Sequence, residues 1–425
     1  MRNMKDIIIC ALKALGIQSY LVTEVKKNCK EMFFIRQTLD MTRTEKLDEW
    51  NVTVYHDDDT RSRRGAASCM IHQGMDENDV KNTISDAYYA AGFAMNPYYE
   101  LVKGGRENFI KAEGSLAEVS LEDAARRMTK ALFAADNRKD SFLNSAELFV
   151  EKRNVSIFNS NGVECSYEEC SVKGEFVVQC LTPADVEMYQ DFSYDELSES
   201  GLEKLVADKL AVVVDRAKAD KAPAAGKYDV LLSEDSVREV LSFYKWRADA
   251  NNIYPKYSTY ETGMNVQGEN VGGEKLNIIL HSAVPYSNDG IRMKDCELIK
   301  DGVLKNIHGG LRMAQYLKTE PTGEYNKMVV NNGTLGLEQM KSGRVLHVVS
   351  FSDFNMNSMS GHFAGEIRLA YLYDNGKVSL VTGGSINGSL IEAQGSMVFS
   401  KERYESSLYS GPYAVLIKEI PVSGE

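Results

Sequence analysis

Apolar residues recur at helical spacing at several places in the first half of the chain. Near the start, Ile8, Leu12 and Leu15 would share one face of a helix, which predicts a packed amphipathic helix rather than a signal peptide. Further helices are predicted at 75–94, 121–138 and 200–220. Strands are predicted within 19–37, 49–72 and 146–181. Helices and strands therefore share the first half, which predicts an α/β domain.

The pattern changes after the polar stretch "KADKAPAAGK" at 218–227, which is typical of a linker. The chain beyond it is rich in strands and glycine, with short helical pieces inserted. Asp301-Gly302 and Asn375-Gly376 each split an apolar run, which is typical of hairpin turns. The predicted class is α+β: an N-terminal α/β domain, 1–222, followed by a mostly antiparallel β-rich C-terminal domain with inserted helices, 223–425.

The composition of the chain disfavours several classes of function. The chain has 425 residues, 61 acidic against 49 basic, giving a formal charge of −12 that disfavours general binding to nucleic acid or anionic membranes. No apolar run approaches the roughly 18–20 residues that a membrane-spanning helix needs. The seven cysteines are scattered and show no CxxC spacing, so we expect buried thiols and a cytoplasmic location.

Familiar catalytic motifs are absent from the sequence. None of the six histidines lies in HExxH or HxxxH, and neither a GxSxG elbow nor a Walker loop occurs. His362 and Glu366 have metal-like spacing, but flanking glycines favour a loop leading into a strand. Composition and spacing alone therefore predict a two-domain α+β protein without naming its chemistry.

One stretch, "VLLSEDSVREVL" at 230–241, joins a predicted strand to a predicted helix. Ser233 is a suitable N-cap, and acidic residues in the first turn would favour the helix dipole. Val237, Val240, Leu241 and Tyr244 would form an apolar face. The local pattern thus accounts for each position as part of a helix start.

In the second half, Asp289-Gly290-Ile291, the segment from Ile299 to Leu304, and Asn332-Gly333 follow one another in an order that resembles a known family, TldD/PmbA, described as a zinc metallopeptidase family and as modulators of DNA gyrase. The resemblance is closest from about 228 to 395, and the order of short motifs carries it. Asp289-Gly290, Asp301-Gly302 and Asn332-Gly333 match the family's turns, to which we assign a structural role. "NSNGVECSYEE" in the first half is similar to a further family segment. The resemblance implies a metallopeptidase-like C-terminal domain.

The family's catalytic TldD branch carries an HExxxH helix and a C-terminal cysteine. Those positions fall here on Ser233, Glu234 and Arg238, and near Ser410, so Glu234 alone matches. A hydroxyl and a guanidinium are poor zinc ligands, and without zinc Glu234 has no activated water to work on. The resemblance therefore implies the PmbA (TldE) branch, with no zinc and no other cofactor, and no confident catalytic residue.

Three hypotheses remain open. The first is a PmbA/TldE-like subunit that partners a TldD-like metallopeptidase in processing peptides, as a homodimer or heterodimer. The second is a metallopeptidase with rearranged ligands, drawn from a set of five residues: His281, His308, His347, His362 and Glu366. The third is a peptide-binding or assembly protein without catalysis, which would capture extended peptides by strand addition. Whether the chain is itself an enzyme stays open, and no feature supports contact with DNA.

Overall fold

The computed structural model describes residues 3–424. Its helices have the following bounds: α1 (Met4–Ala14), α2 (Glu77–Ala91), α3 (Leu121–Ala134), α4 (Glu199–Lys218), α5 (Asp235–Arg247), α6 (Ala250–Ile253), α7 (Leu311–Leu317), α8 (Leu337–Met340) and α9 (Leu390–Ala393). Helices α2, α3 and α4 lie close to the three ranges predicted for them, and α1 contains Ile8 and Leu12 of the predicted N-terminal helix. Where apolar residues recur regularly at helical spacing, the structure contains a helix.

A seven-stranded sheet dominates the first half. Its strands are β1 (Ser19–Ile35), β2 (Thr38–Asp57), β3 (Arg63–His72), β4 (Met95–Pro97), β5 (Phe142–Asn159), β6 (Glu164–Cys180) and β7 (Val186–Tyr194). They lie in the order β4-β3-β2-β1-β5-β6-β7, and every neighbouring pair is antiparallel. Several strands are two or three times the usual five or six residues, so this sheet is unusually long along its strands.

Local caps and burial explain why the helices of the first half form and where they pack. Asn3, Asp76 and Ser120 each accept a backbone N–H at the start of α1, α2 and α3, which satisfies donors that the helix leaves free. The apolar faces of α1 and α2 pack around the buried indole of Trp50 on β2, whereas α3 and α4 pack on β5 to β7. One sheet therefore supports two separate apolar clusters.

The second half contains two further sheets. The first has six strands in the order β11-β10-β9-β12-β19-β18. Their bounds are β9 (Ile278–His281), β10 (Cys296–Lys300), β11 (Val303–Leu304), β12 (Lys327–Val330), β18 (Arg403–Glu405) and β19 (Tyr409–Pro412). All of its pairings are antiparallel except that between β12 and β19.

In the last sheet, five strands close on themselves in the order β13-β8-β20-β16-β14, since β14 also pairs with β13. β15 extends β14, and β17 pairs with β20. The bounds are β8 (Gly226–Ser233), β13 (Val345–Asn357), β14 (His362–Asp374), β15 (Lys377–Val381), β16 (Ser385–Ser389), β17 (Val398–Phe399) and β20 (Ala414–Ser423). Helix α5 packs its buried residues into the core shared by both sheets.

The α+β class and the β-rich, mainly antiparallel second half are confirmed. Asp301-Gly302 joins β10 to β11 and Asn375-Gly376 joins β14 to β15, with positive φ at all four residues, as a type I′ hairpin turn requires. The boundary between 222 and 223 stays a prediction, and it falls in the segment between α4 and β8. Among residues 3–424, no helix is both long enough and apolar enough to cross a membrane.

The core around α5 generates a stability prediction. Leu241 is fully buried there beside Val237 and Val240. Leu241→Ala should lower the free energy of unfolding by about 2–5 kcal/mol, because the helix is held on both sides and cannot collapse into the cavity. Urea unfolding followed by circular dichroism measures the change. Ser236→Ala on the same helix is the control, with an expected change within about 0.5 kcal/mol.

Candidate functional site

The candidate site lies at the sharp turn where β8 ends and α5 begins. Glu234 forms this turn with φ 55° and ψ −127°, a conformation that residues other than glycine rarely adopt. Its N–H donates to the carbonyl of Tyr413 at 2.8 Å, which fixes the turn to the start of β20. Such a conformation costs about 1–3 kcal/mol and persists only where its surroundings enforce it.

The prediction that Ser233 caps the helix is wrong. Glu234 occupies the N-cap position and makes no side-chain cap hydrogen bond, while Ser233 is the last residue of β8. The turn at Glu234 directs the Ser233 hydroxyl to His347 on β13 instead, with 3.1 Å between Oγ and Nε2. Asp235 does lie in the first turn of α5, and the predicted apolar face of the helix is buried, as expected.

An ion pair holds the one residue that matches the family motif. Oε2 of Glu234 lies 2.6 Å from Nζ of Lys209 on α4, and the hydroxyl of Tyr413 donates to Oε1 at 3.4 Å. Lys209 is only 7% exposed. An ammonium group buried to this degree needs a partner, because removing it from water is costly. Burial, with Glu234 nearby, also raises the pKa of Asp208. The carboxylate therefore neutralises a buried cation.

The hydroxyl of Ser233 is not an activated nucleophile. Burial lowers the pKa of His347 to about 3, and the Lys341 cation adds to the shift. An imidazole with so low a pKa is a weak general base at neutral pH, since a proton acceptor works best near the working pH. The hydrogen bond between Ser233 and His347 therefore joins β8 to β13 rather than forming a catalytic pair.

The two remaining motif positions are also occupied by local contacts. Arg238 donates from Nε to Asp235 at 3.2 Å, and the hydroxyl of Tyr404 donates to the same carboxylate at 3.3 Å. Burial, with Asp235 nearby, raises the pKa of Tyr404, which keeps its proton in place.

Ser410 lies on the hairpin that carries Tyr404, formed by β18 and β19. Its Oγ accepts from Arg403 and donates to Oε1 of Glu405 at 2.7 Å. Burial acts against ionisation of Glu405, but the hydrogen bonds from Arg403 and Ser410 lower its pKa. Ser410 is thus one member of a charged network.

These residues do not fit a zinc ion. Zinc is bound by thiolate, imidazole or carboxylate donors, and the four positions supply one carboxylate, two hydroxyls and a guanidinium. Glu234 is neutralised by Lys209, and Arg238 adds a second fixed positive charge that would repel a metal cation. In the part of the chain that the structure describes, no group of three His, Cys, Asp or Glu side chains could hold a metal ion.

The alternative metal ligands lie apart from one another. His362 and Glu366 sit four residues apart on the extended strand β14, about 13 Å along its axis, so they cannot share a metal. Glu366 accepts a hydrogen bond from Ser352 at 2.8 Å. His308 is buried, with Nε2 lying 2.9 Å from the carbonyl of Lys245. We find no shared centre among them.

The turns that match family motifs have clear geometric uses. At Asp301-Gly302, φ is 50° and 79°. Gly290 has φ 82°, and the neighbouring Asp289 accepts the N–H of Leu311 at 3.1 Å, which positions the start of α7.

The third turn lies beside the hairpin of Ser410. Asn332 donates to the carbonyl of Lys401 at 3.1 Å and accepts from Arg403 at 3.2 Å. A Cβ on Gly333 would lie 2.0 Å from the carbonyl oxygen of Phe399, so a side chain does not fit. This turn therefore brings β12 and the β18–β19 hairpin together.

A cleft of about 990 Å³ opens between the two halves of the chain, near this hairpin. Ser407 and Leu408, at the tip of the hairpin, line it, and so do His281 and Asp295, with 2.6 Å between Nδ1 and Oδ1. Acidic side chains in the lining outnumber basic ones: Glu113, Glu151, Glu168, Glu169, Asp195, Glu196 and Asp295 against Lys111, Arg153, Lys173 and Lys294. The size of the cleft suits a short ligand segment, and its negative charge favours basic groups on that ligand.

The partners of Glu234 were not predicted, although the sequence contains one signal for them. Lys209 lies on α4 between the buried Val206 and Leu210, on an otherwise apolar helix face. A lysine in such a position needs a buried counter-charge, which could have been predicted. That this counter-charge is Glu234 could not be predicted, because Lys209 and Glu234 approach each other only in the tertiary fold.

Removing the buried cation should destabilise the protein. Lys209→Met leaves the carboxylate of Glu234 without its main partner, and we expect a loss of about 2–3 kcal/mol in the free energy of unfolding. The double variant K209M/E234Q should recover most of that loss, because neither charge remains. A double-mutant cycle in urea unfolding measures the coupling, and additive losses would contradict the pairing.

The buried imidazole should make stability depend on pH. The unfolded chain regains a histidine with pKa near 6.5, whereas the folded His347 has a pKa of about 3, so the unfolded state binds more protons between these values. Stability should therefore fall as the pH drops from about 6.5, by up to about 1.4 kcal/mol per unit. His347→Gln should show a shallower fall in urea unfolding from about pH 7 to about pH 5. Equal slopes would show that folding does not lower the pKa of this histidine.

Comparison with known proteins identifies sequences and structures that are similar to this chain. Residues 225–424 match the model of the PmbA/TldA metallopeptidase C-terminal domain. An uncharacterized protein from Methanocaldococcus jannaschii is 24% identical over 350 residues, covering 75% of this chain and 77% of that protein. Thus the sequence match includes the strand-to-helix turn and the β18–β19 hairpin.

Solved structures share the whole fold at low identity. A proposed modulator of a DNA gyrase from Thermotoga maritima is similar with a TM-score of 0.80 at 15% identity, covering 99% of both chains. TldE from Thermococcus kodakarensis gives 0.78 at 15%, covering 99% of this chain and 100% of that one. A proposed modulator of DNA gyrase from Bacteroides thetaiotaomicron gives 0.79 at 18%, covering 99% of each. Residues 225–424 therefore match the PmbA/TldA metallopeptidase C-terminal domain, and the chain as a whole shares the fold of these solved structures.

Proposed function

We propose that this chain is a PmbA/TldE-like subunit that binds no zinc and completes a peptide-processing assembly with a TldD-like metallopeptidase. The observation that carries the proposal is the ion pair between Glu234 and Lys209. It occupies the one motif position that retains the family residue, and a lysine ammonium there is incompatible with a neighbouring zinc ion. The similarity in fold to TldE from Thermococcus kodakarensis supports the same branch.

The side chains of the site indicate what each subunit of the proposed assembly would contribute. The partner would supply the metal and the activated water, and this chain would supply surface that holds the peptide. The acidic cleft between its halves is a suitable place, because it is large, open to solvent and carries negative charge opposite basic peptide side chains. We place the assembly in the cytoplasm.

A second candidate is a peptide-binding or assembly protein without any peptidase partner. The same cleft favours it, since binding there needs no metal. A chain that captures peptide equally well with and without a TldD-like protein would favour this candidate. A metallopeptidase with rearranged ligands is disfavoured, because the candidate ligands lie apart.

The proposal predicts the metal content and activity of the purified proteins. This chain alone should contain far less than one zinc per chain and should not cleave peptides. Co-expressed with an HExxxH-bearing relative from the same genome, it should co-purify with that relative and the pair should cleave peptides. Metal analysis by mass spectrometry, a pull-down and a peptidase assay measure these outcomes.

A matched pair of variants identifies which chain performs the chemistry. Glu234→Gln made together with Lys209→Met, which leaves no buried charge unpaired, should leave the activity of the pair unchanged, because no step uses the carboxylate. The same glutamate-to-glutamine change in the HExxxH motif of the partner should abolish activity. One tightly bound zinc in this chain, or loss of activity in a folded K209M/E234Q variant, would overturn the proposal.

A further inference from the structure

A row of side chains with polar groups crosses the face of the N-terminal sheet on which α1 and α2 pack. The row takes one residue from each of four neighbouring strands: Trp50 on β2, Glu24 on β1, Ser156 on β5 and Ser166 on β6. Residues directly opposite each other share one face of a sheet, with about 5 Å between their Cβ atoms. The polar groups of the row therefore lie side by side, at the border of the apolar cluster to which Trp50 also belongs.

These four residues line a cavity of about 270 Å³, which we call the small cavity. Lys5 of α1, Phe158 of β5 and the exposed loop 106–109 complete its lining. Its volume lies just below the usual range of ligand pockets, so it suits a small molecule. Among the described residues, the small cavity and the acidic cleft have no lining residue in common.

The indole of Trp50 is a buried donor without an acceptor. Trp50 is only 2% exposed, and its Nε1 has no hydrogen-bond partner among residues 3–424. Leaving a buried N–H unpaired costs free energy, and nearly all such groups in proteins are paired. The apolar side chains that pack on the ring offer no acceptor, so the acceptor has to come from the cavity that the ring lines. The N–H therefore indicates a ligand with a hydrogen-bond acceptor.

Glu24, next to the indole, has the opposite requirement. The residue is buried, and its Oε1 lies 2.5 Å from Nζ of Lys26, whose own side chain is half exposed. Within the part of the chain that the structure describes, the other oxygen, Oε2, has no such partner. A buried carboxylate oxygen is well satisfied by a charged donor, and the Ser156 hydroxyl beside it can accept a further hydrogen. This position suits an ammonium group.

The end of the cavity at β6 carries positive charge. Nζ of Lys5 lies 2.8 Å from Oε1 of Glu164, and this hydrogen bond and, to a lesser degree, the charge of Arg106 lower the pKa of that carboxyl group. Glu107 alternates with Arg106 and lies towards Cys165, where burial and this carboxylate raise the pKa of the thiol to about 11. Two cations thus face one carboxylate at this end, which suits a carboxylate of a ligand.

We propose that the small cavity binds a free α-amino acid whose side chain ends in an amide, glutamine or asparagine. The ammonium group pairs with Oε2 of Glu24, and the α-carboxylate lies towards Lys5 and Arg106. The side-chain carbonyl accepts the N–H of Trp50. A neutral acceptor is favoured there, because a second carboxylate would lie beside the charge of Glu24. The site is separate from the proposed role in peptide processing.

Calorimetric titration tests the class of ligand. Glutamine, titrated to about 10 mM, should bind the full chain at one site. Leucine lacks the acceptor, N-acetylglutamine lacks the ammonium group, and glutamate brings a second carboxylate, so each should bind about tenfold more weakly or worse. If neither glutamine nor asparagine binds, or if N-acetylglutamine binds as tightly as glutamine, the proposal is wrong.

The indole signal reports directly on Trp50. The chain has two tryptophans, so an isotopically labelled sample gives two indole N–H signals in a nuclear magnetic resonance spectrum, and Trp246→Phe identifies the one from Trp50. Glutamine should move that signal downfield, because the N–H then donates a hydrogen bond, and should leave the signal of Trp246 in place. Binding that leaves the Trp50 signal unmoved would contradict the assignment.

Variants locate the site on the sheet. Glu24→Gln should weaken glutamine binding about tenfold or more, since it removes the charge that pairs with the ammonium group. Its thermal unfolding should change little, because Lys26 stays in contact with solvent. Ser156→Met should abolish binding by filling the cavity. Glu31→Gln, the same change on the same strand but outside the cavity, is the matched control and should bind as the wild type does.

The outcomes separate this site from the acidic cleft. Glutamine binding of wild-type strength in folded E24Q and S156M variants would overturn the proposal. None of these substitutions touches Glu234 or the lining of the cleft, so peptide cleavage by the pair of subunits should be unchanged in E24Q. A failure of glutamine to bind therefore leaves the proposed function standing.

Discussion

The ion pair between Lys209 and Glu234 is the contact on which the candidate site depends. It joins α4, which packs on the N-terminal sheet, to the strained turn that starts α5 in the second half. The ammonium group is buried and needs the carboxylate, and the carboxylate is held in place by a backbone conformation that a side chain rarely adopts. Burial of one charge thus maintains the geometry of the turn.

The same pair shows how this strand-to-helix turn is held together by charges of the chain itself. A zinc site is a cluster of donors around a cation, and here Lys209 and Arg238 are cations already covalently part of the chain. Ser233 and Ser410 are engaged by His347 and by the Arg403–Glu405 network. The residues at Ser233, Glu234, Arg238 and Ser410 therefore help to hold the two sheets and α4 together.

The N-terminal sheet has two surfaces that suit different kinds of ligand. The cleft on β5 and β6 is acidic and wide, so it suits a ligand recognised by charge. The small cavity beside α1 has a buried carboxylate next to a buried indole donor, so it suits a small molecule recognised by hydrogen bonds. Both arise because the strands are long: they extend beyond the helices that cover them and leave part of the sheet uncovered.

The sequence by itself determined the helices, the glycine-containing hairpins, the α+β class and the resemblance of the second half to the PmbA/TldA C-terminal domain, because these depend on short-range periodicity, turn chemistry and the order of local motifs. It could not determine that the strands would be so long, since charged residues such as Lys26, Glu31 and Arg43 interrupt the apolar pattern that marks a strand. Only the tertiary structure decided that Ser233 contacts His347 rather than capping a helix, and that Lys209 pairs with Glu234. Those residues lie far apart in sequence, and the energy of a buried charge depends on which partner the fold brings to it.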